Sequence, residues 1–271
     1  MRSFRASAIQ LKAGPDKAAN LGLAQELVEN AVAGGSRLVA LPEVFSWRGP
    51  QSDEAGAAEP IPGPTSDAVG NMARRLGIFL LAGSILEKTK KGGRCYNTSL
   101  LFGPNGALVA RYRKIHLFSL AMSETDSVNE ARTREPGNDT VCAATDIGNI
   151  AMAVCYDLRF PELFRRMVHQ GAEMITIPSA FTRPTGEAHW KTLVRARAIE
   201  NQCFVIAPNQ YGETSYGFSD YGHSLLVDPW GEVLAEAGGD EDAVISAEFD
   251  SAILKDVRER LPSLRHRKPN L

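Results

Sequence analysis

Three residues of different chemical type stand where apolar runs give out in this 271-residue chain. Glu43 follows "RLVALP", Lys114 follows "ALVARYR", and Cys155 follows "IAMAV". A thiol of pKa about 8.5 is mostly protonated at neutral pH. A neighbouring carboxylate can take its proton, and a nearby ammonium can stabilise the thiolate and a later oxyanion. Together the three groups would make a nucleophile, a base and an electrostatic clamp, with no histidine required. Each also has an ordinary structural use. A cysteine that closes an apolar strand is often a small packing residue. A glutamate after a strand is usually a surface or capping carboxylate. Lys114 belongs to a basic run with Arg111, Arg113 and His116, which reads as a solvated face.

Ligands of open α/β sheets bind beyond the carboxyl ends of the strands, so the elements around these residues matter. "FRASAIQL" reads as a strand. The spacing of Leu21, Ala24, Leu27, Val28 and Ala31 predicts a helix over 17–33, ended by Gly34 and Gly35. "RLVALP" is a buried strand, followed by a helix over 66–76 and the strand "IFLLAGSI". The hairpin "SLLFGPNGALVARY" turns at Pro104, Asn105 and Gly106. The same order then recurs. "IAMAVCY" is a strand and "PELFRRMVHQ" a helix that begins with Pro161 and stops before Gly171. "EMITIPSAF", "HWKTLVRARAIEN" and "CFVIAPN" follow as strand, helix and strand, and "SLLVDPWGEVLAEA" as a hairpin. "GSRLVALPEVF" (35–45) lies over "GAEMITIPSAF" (171–181), and "SLLFGPNGALVA" (99–110) over "SLLVDPWGEVLA" (224–235). The chain therefore reads as one α/β domain over 1–271, made of two pseudo-symmetric β-α-β-α-β-β halves, about 1–147 and 148–271. Near-continuous apolar strands need cover on both faces. Two sheets packed face to face with helices outside each, a four-layer αββα sandwich, would supply it.

Composition removes several function classes. The net charge is −2 and the sequence pI about 6.2, without the basic surplus of a general nucleic-acid binder. No apolar run approaches the roughly 20 residues that span a bilayer. "MRSFRASAIQ" lacks the pattern of a secretory signal, so the expected address is the cytoplasm. Cys95, Cys142, Cys155 and Cys203 show no CxxC spacing and no accompanying histidine cluster, so neither zinc nor a disulfide framework is expected. No GxSxG elbow, GxxxxGK[ST] loop or GxGxxG fingerprint occurs, and no cofactor is expected.

"LPEVF", "YRKIHLF" and "CYDLRFPELFR" resemble the three motifs of the nitrilase, or carbon–nitrogen hydrolase, superfamily. "GEAHW", "RARAIENQ", "YGHSLLVDPWG" and "LPSLRHRKPN" extend the likeness over nearly the whole chain. The resemblance implies the αββα sandwich and a catalytic triad of Glu43, Lys114 and Cys155. It also implies a second glutamate after the lysine motif, which falls on Glu130, with Glu124 and Glu135 in the same segment as alternatives. The backbone N–H of Tyr156 would be the second oxyanion donor. The implied reaction is hydrolysis of a linear amide through a cysteine thioester. "CYDLRFPEL", "PSAF", "AHW" and "YGHS" resemble the branch that holds deaminated-glutathione amidases and omega-amidases. In that branch an arginine four residues past the cysteine, here Arg159, grips a 2-oxo-acid carboxylate, a task that bidentate guanidinium pairing suits. A salt bridge to Glu162 or Asp157 is its structural alternative. Phe181 and Thr182 would line the pocket, although Phe181 occupies the same repeat position as Phe45 and could equally be core.

Two long irregular segments, 46–65 and 119–139, begin near the proposed catalytic positions and read as lids or binding loops. The basic tail "PSLRHRKPNL" reads as a solvated arm. The resemblance implies a homodimer or higher homo-oligomer, with a small-molecule amide as the other partner. Rival readings are an omega-amidase for 2-oxoglutaramate or succinamate, a carbamoyl-amine hydrolase, and a non-catalytic interaction protein.

Overall fold

In a computed structural model, residues 1–121, 127–214, 217 and 219–268 are described. The first stretch runs β1 (Phe4–Gln10), α1 (Lys17–Ala33), β2 (Leu38–Ala40), α2 (Pro64–Leu76), β3 (Phe79–Leu81), β4 (Ile85–Lys88), β5 (Cys95–Phe102) and β6 (Leu108–Arg113). The second runs β7 (Val141–Thr145), β8 (Gly148–Met152), α3 (Pro161–His169), β9 (Met174–Thr176), α4 (Arg183–Asn201), β10 (Phe204–Ala207), β11 (Leu225–Val227), β12 (Val233–Glu236), β13 (Ala243–Phe249) and α5 (Ser251–Arg260).

One sheet has the order β13-β1-β2-β3-β5-β4, with β6 also paired to β5, and the other β7-β8-β9-β10-β11-β12. The repeated segments occupy equivalent places: β2 matches β9, and the hairpin β5–β6 matches β11–β12. Each sheet carries an antiparallel strand beside its first repeat strand. β7 pairs with β8 from Val141↔Met152 to Thr145↔Gly148. β13 pairs with β1 from Phe4↔Phe249 to Gln10↔Ala243. The border drawn near 147 therefore falls in a turn between two strands of one sheet, and the last strand of the chain returns to the first sheet.

Alternation along the strands sorts the layers. Leu38 and Ala40 of β2, Phe79 and Leu81 of β3, and Leu101 of β5 pack with Ile150, Met152, Met174 and Phe204 of the other sheet. Val39, Leu80 and Leu100 point the opposite way, onto Leu27 and Val28 of α1 and Val69, Met72 and Ala73 of α2. Leu163, Phe164 and Met167 of α3, with Trp190 and Val194 of α4, cover the outer face of the second sheet. The result is the αββα sandwich, since strands with two apolar faces are satisfied only between layers.

Local chemistry sets the helix ends. The Asp16 carboxylate accepts from the N–H groups of Ala18 and Ala19, capping α1. Pro64 and Pro161 open α2 and α3 in their first turns, where a missing N–H costs nothing. α4 begins at Arg183, six residues before the expected His189. Its start is again a proline turn, Arg183-Pro184, which the apolar periodicity of the later residues did not mark. "IFLLAGSI" is not one strand. It breaks at Gly83, where φ is +40° and a Cβ would lie 1.9 Å from the carbonyl oxygen of Pro42. Only glycine fits there, so β3 and β4 separate and the chain passes beneath the segment that carries Glu43.

Candidate active site

Glu43 leaves the end of β2 and is 2% exposed. Its carboxylate accepts from Lys114 Nζ at 2.9 Å, Asn97 Nδ2 at 2.7 Å and the Ala180 N–H at 2.9 Å. Lys114 leaves the end of β6, and its backbone N–H donates to the Asn97 carbonyl at 2.8 Å. Asn97 on β5 thus holds both the Glu43 carboxylate and the lysine. The Lys114 ammonium also lies 2.9 Å from Glu130. Glu130 is fixed in turn by Arg134 and by the Phe118 N–H, which donates to it at 2.8 Å. The structure brings Glu130 to Lys114. Glu135 faces Arg94 instead, 3.0 Å away. Glu124 lies outside the described residues.

Cys155 starts a one-turn helix over Cys155–Arg159. Its φ is +47°, and Val44, next to Glu43, has φ +44°. A non-glycine residue in this region costs on the order of 1–3 kcal/mol and persists only where its surroundings over-determine it. Those surroundings are visible. The Cys155 N–H donates to the Pro178 carbonyl at 3.0 Å, and the Val44 N–H to Ser84 Oγ at 2.9 Å. The Asp157 carboxylate, fully buried, accepts from the Val154 N–H at 2.9 Å, Tyr112 Oη at 2.6 Å and the His116 N–H at 3.0 Å. His116 Nδ1 is a further 2.7 Å neighbour of that carboxylate. One side chain therefore ties the cysteine turn to β6 and to the segment just past Lys114.

Charge follows geometry. Burial pushes the Glu43 carboxyl up, but Lys114 and Arg134 outweigh it and hold the group below the usual carboxylate range. Burial works against the Lys114 ammonium, yet Glu130 and Glu43 raise its pKa overall, so it stays protonated. Burial, then the Glu43 charge, push the Cys155 thiol well up, and Lys114 offsets only part of this. The resting sulfur is accordingly a neutral thiol, with the Glu43 carboxylate as a charged neighbour.

Cys155, Glu43, Lys114 and Glu130 line one cavity of about 230 Å³. Phe118, Val128, Tyr156 and Phe181 give it apolar walls, and Thr182 and Thr185 add hydroxyls. Phe181 serves both expected roles, for it lines the cavity and packs on Trp190 with ring centroids 5.1 Å apart. Arg159 is not among the cavity-lining residues. Its guanidinium lies over the rings of Phe181 and Tyr156, at 5.1 and 5.8 Å, and 3.3 Å from His189 Nδ1. Its contacts are thus with these rings and His189, while Asp157 is taken up by the bonds above.

Sequence reading missed a second buried pair. Arg134 donates to Glu54 at 2.6 and 3.0 Å, and Thr133 Oγ1 donates to the same carboxylate at 2.7 Å. Gln51 Nε2 reaches the Asn129 carbonyl at 2.9 Å. These bonds clasp the segment 46–65 to the segment 119–139 beside the cavity. Neither arginine nor glutamate stands in a motif, and only their meeting across 80 residues marks them. Among the described residues no group of three or more His, Cys, Asp or Glu side chains could hold a metal, and no helix is long and apolar enough to cross a membrane.

The family model for carbon-nitrogen hydrolases matches residues 5–259. The deaminated glutathione amidase of Synechocystis is 39% identical over 98% of this chain and 99% of that protein. The omega-amidase NIT2-B of Xenopus laevis is 38% identical over 100% of this chain and 97% of its own. The crystal structure of Saccharomyces cerevisiae Nit3, from branch 10 of the nitrilase superfamily, superposes with a TM-score of 0.87 at 33% identity, covering 96% of this chain and 95% of that one. With the sandwich, the duplicated halves and the buried acid–amine–thiol cluster, these matches mean that the chain belongs to the carbon-nitrogen hydrolase family.

Proposed function

We propose that the protein hydrolyses the linear amide of a 2-oxo acid such as deaminated glutathione, through a thioester on Cys155. The observation that carries this reading is the buried contact of Glu43, Lys114 and Glu130 on the wall of the cavity that holds the Cys155 thiol. Cys155 Sγ attacks the amide carbonyl as its proton passes to Glu43. The Lys114 ammonium and the Tyr156 N–H take up the charge that develops on the carbonyl oxygen; one such donor contributes about 3 kcal/mol to lowering a barrier. Glu43 then gives its proton to the leaving nitrogen. Water attacks the thioester, again losing a proton to Glu43, and the sulfur leaves as the thiol. Glu130 keeps Lys114 charged and in place. Phe181 and Thr182 shape the acyl pocket, and Arg159, stacked on Phe181 and Tyr156, supplies a cation for the 2-oxo-acid carboxylate.

The thiol need not ionise in advance, because base and nucleophile line the same cavity and the proton moves during attack. The cavity is smaller than the roughly 300–1,000 Å³ of drug-sized pockets. That size favours a short acyl group and lends weight to a second reading, an omega-amidase that releases ammonia from 2-oxoglutaramate or succinamate. Both readings suit a cytoplasmic homodimer acting as one catalytic domain. Ammonia and dipeptide-amine release, measured over a small panel of amides, separate the two. Cys155→Ala should abolish turnover of every member while keeping the fold, and retained turnover in that variant would end the proposal.

A further inference from the structure

Arg48 and Asp220 line the same cavity, and neither takes part in the steps above. Their side chains lie 3.0 Å apart and are 11% and 4% exposed. Asp220 sits in the short strand Ser219–Tyr221 and forms a bridge with Thr182, whose hydroxyl lies 2.8 Å from that of Thr185. Among the described residues that line it, the wall has more acids than bases. Lys114 stands between Glu43 and Glu130, and Arg134 between Glu130 and Glu54. With Arg48 and Asp220 added, four carboxylates face three cations among the described lining residues, Arg159 standing outside that lining. An amide that carries a carboxylate would thus enter a pocket already in negative excess, where like charges cost far more than in water.

Relief requires one wall carboxylate to become neutral. Glu43 is held below the usual range by its cations. Glu54 and Glu130 are locked on Arg134 and Lys114. Asp220 differs: burial pushes its carboxyl up to about 6, with Arg48 pulling back and the Glu43 charge adding to the rise. Among the described residues, the other charged groups on elements packed around it are engaged or exposed. On α4, Arg183 pairs with Asp240, Lys191 with Glu236 and His189 with Arg159, and Glu187 is exposed. On the partner strand Tyr211–Glu213, Tyr211 has Asp242 as its acidic neighbour and Glu213 is exposed. Tyr221 stacks near His223 at 4.3 Å.

We propose that Arg48 recognises a substrate carboxylate other than the 2-oxo-acid carboxylate given to Arg159, and that Asp220 is its exchangeable counter-ion. The substrate carboxylate takes the place of Asp220 against the guanidinium, and Asp220 takes up a proton from solvent. Arg48 keeps a negative partner throughout, and the wall gains no net charge. The proposal rests on the amidase reading and deepens it: preferred amides carry a carboxylate besides the scissile group, on the acyl or the leaving side.

Succinamate against succinamide tests the acyl side, and N-acetylglycine against N-acetylglycinamide the leaving side. The KM of the favoured acid should rise about tenfold per pH unit above about pH 6, since binding then consumes a proton; the neutral twin should show no such slope. Asp220→Asn should flatten the slope, and Arg48→Gln should remove the preference for acid over neutral twin. Calorimetry on Cys155→Ala at about pH 7.5, in two buffers of different ionisation enthalpy, should read about one proton taken up per bound acid and none per neutral twin. Equal pH profiles for acid and twin, or acid binding without proton uptake, would overturn the exchange. Failure of the intact enzyme to hydrolyse any amide would instead remove the amidase reading, and the calorimetry would still decide the exchange.

Discussion

Replacing Glu43 with glutamine keeps the shape of the side chain and removes its charge. The carboxylate accepts Lys114 and Asn97 on one oxygen and the Ala180 N–H on the other. The carbonyl of the introduced amide can serve the first pair, but its NH₂ then faces the Ala180 N–H, donor against donor. The unmade bond costs about 1–3 kcal/mol. Lys114 is not orphaned, because Glu130 remains 2.9 Å away, so the loss stays below the roughly 3–5 kcal/mol typical of a fully broken buried pair. For a chain of this size that is a fall of about 5 °C in Tm. Activity should suffer far more. The thiol is held protonated by burial, and its proton then has no acceptor, nor has the leaving nitrogen a donor. Each acid–base task is worth about 10²–10⁴, so kcat/KM for ammonia release should fall by at least about 10³. Thermal melting and steady-state kinetics on the same preparation give both numbers. Activity within about tenfold of the parent enzyme, in a variant that melts as expected, would refute the assignment of Glu43 as base.

The acid limb of the pH–rate profile should lie below the ordinary carboxylate range, because Lys114 and Arg134 hold Glu43 below it; the stability this shift contributes is present above the unfolded pKa and is lost as pH falls through the folded one. Acid inactivation and acid unfolding, followed by kinetics and circular dichroism, should thus overlap, and an acid limb near neutrality would contradict the assignment. Arg134→Met leaves Glu54 and Glu130 buried without their shared cation and should cost about 3–5 kcal/mol in denaturant titration, with loss of turnover. Gly83→Ala should lower stability by about 3 kcal/mol or more, since its Cβ would meet the Pro42 and Leu41 oxygens at 1.9 and 2.4 Å; a parent-like melting curve would show that this crossing is not tight. Small electrophiles should label Cys155 ahead of Cys95 and Cys203, whose thiols burial pushes up to about 12 and which donate to backbone carbonyls.

The layered fold was legible because it is written in local terms. Apolar strands, proline-opened helices and a duplicated order each follow from residues close in sequence, and α1 starts and ends where periodicity and the Gly34-Gly35 pair place it. Glu43, Lys114 and Cys155 could be picked out because strand ends are where side chains meet a ligand. What could not be read were contacts closed by the folded chain. Asn97 looks like any strand residue until its carbonyl and amide are seen to serve Lys114 and Glu43. Arg134 and Glu54 lie in segments without periodicity, and only the fold makes them partners. The strain at Val44 and Cys155 has no sequence mark, since neither is glycine or asparagine. "IFLLAGSI" misled for the opposite reason: its apolar pattern continues through a residue, Gly83, whose conformation ends the strand.

The proposed catalysis is covalent chemistry at one sulfur, and trapping the intermediate tests that claim most directly. The protein is mixed with a slow amide substrate, quenched in acid and digested, and its peptides are weighed. The acyl mass should appear on the peptide that holds Cys155, be absent from those holding Cys95, Cys142 and Cys203, and vanish in Cys155→Ala together with turnover. An acyl group on any other residue, or continued turnover without Cys155, would contradict it.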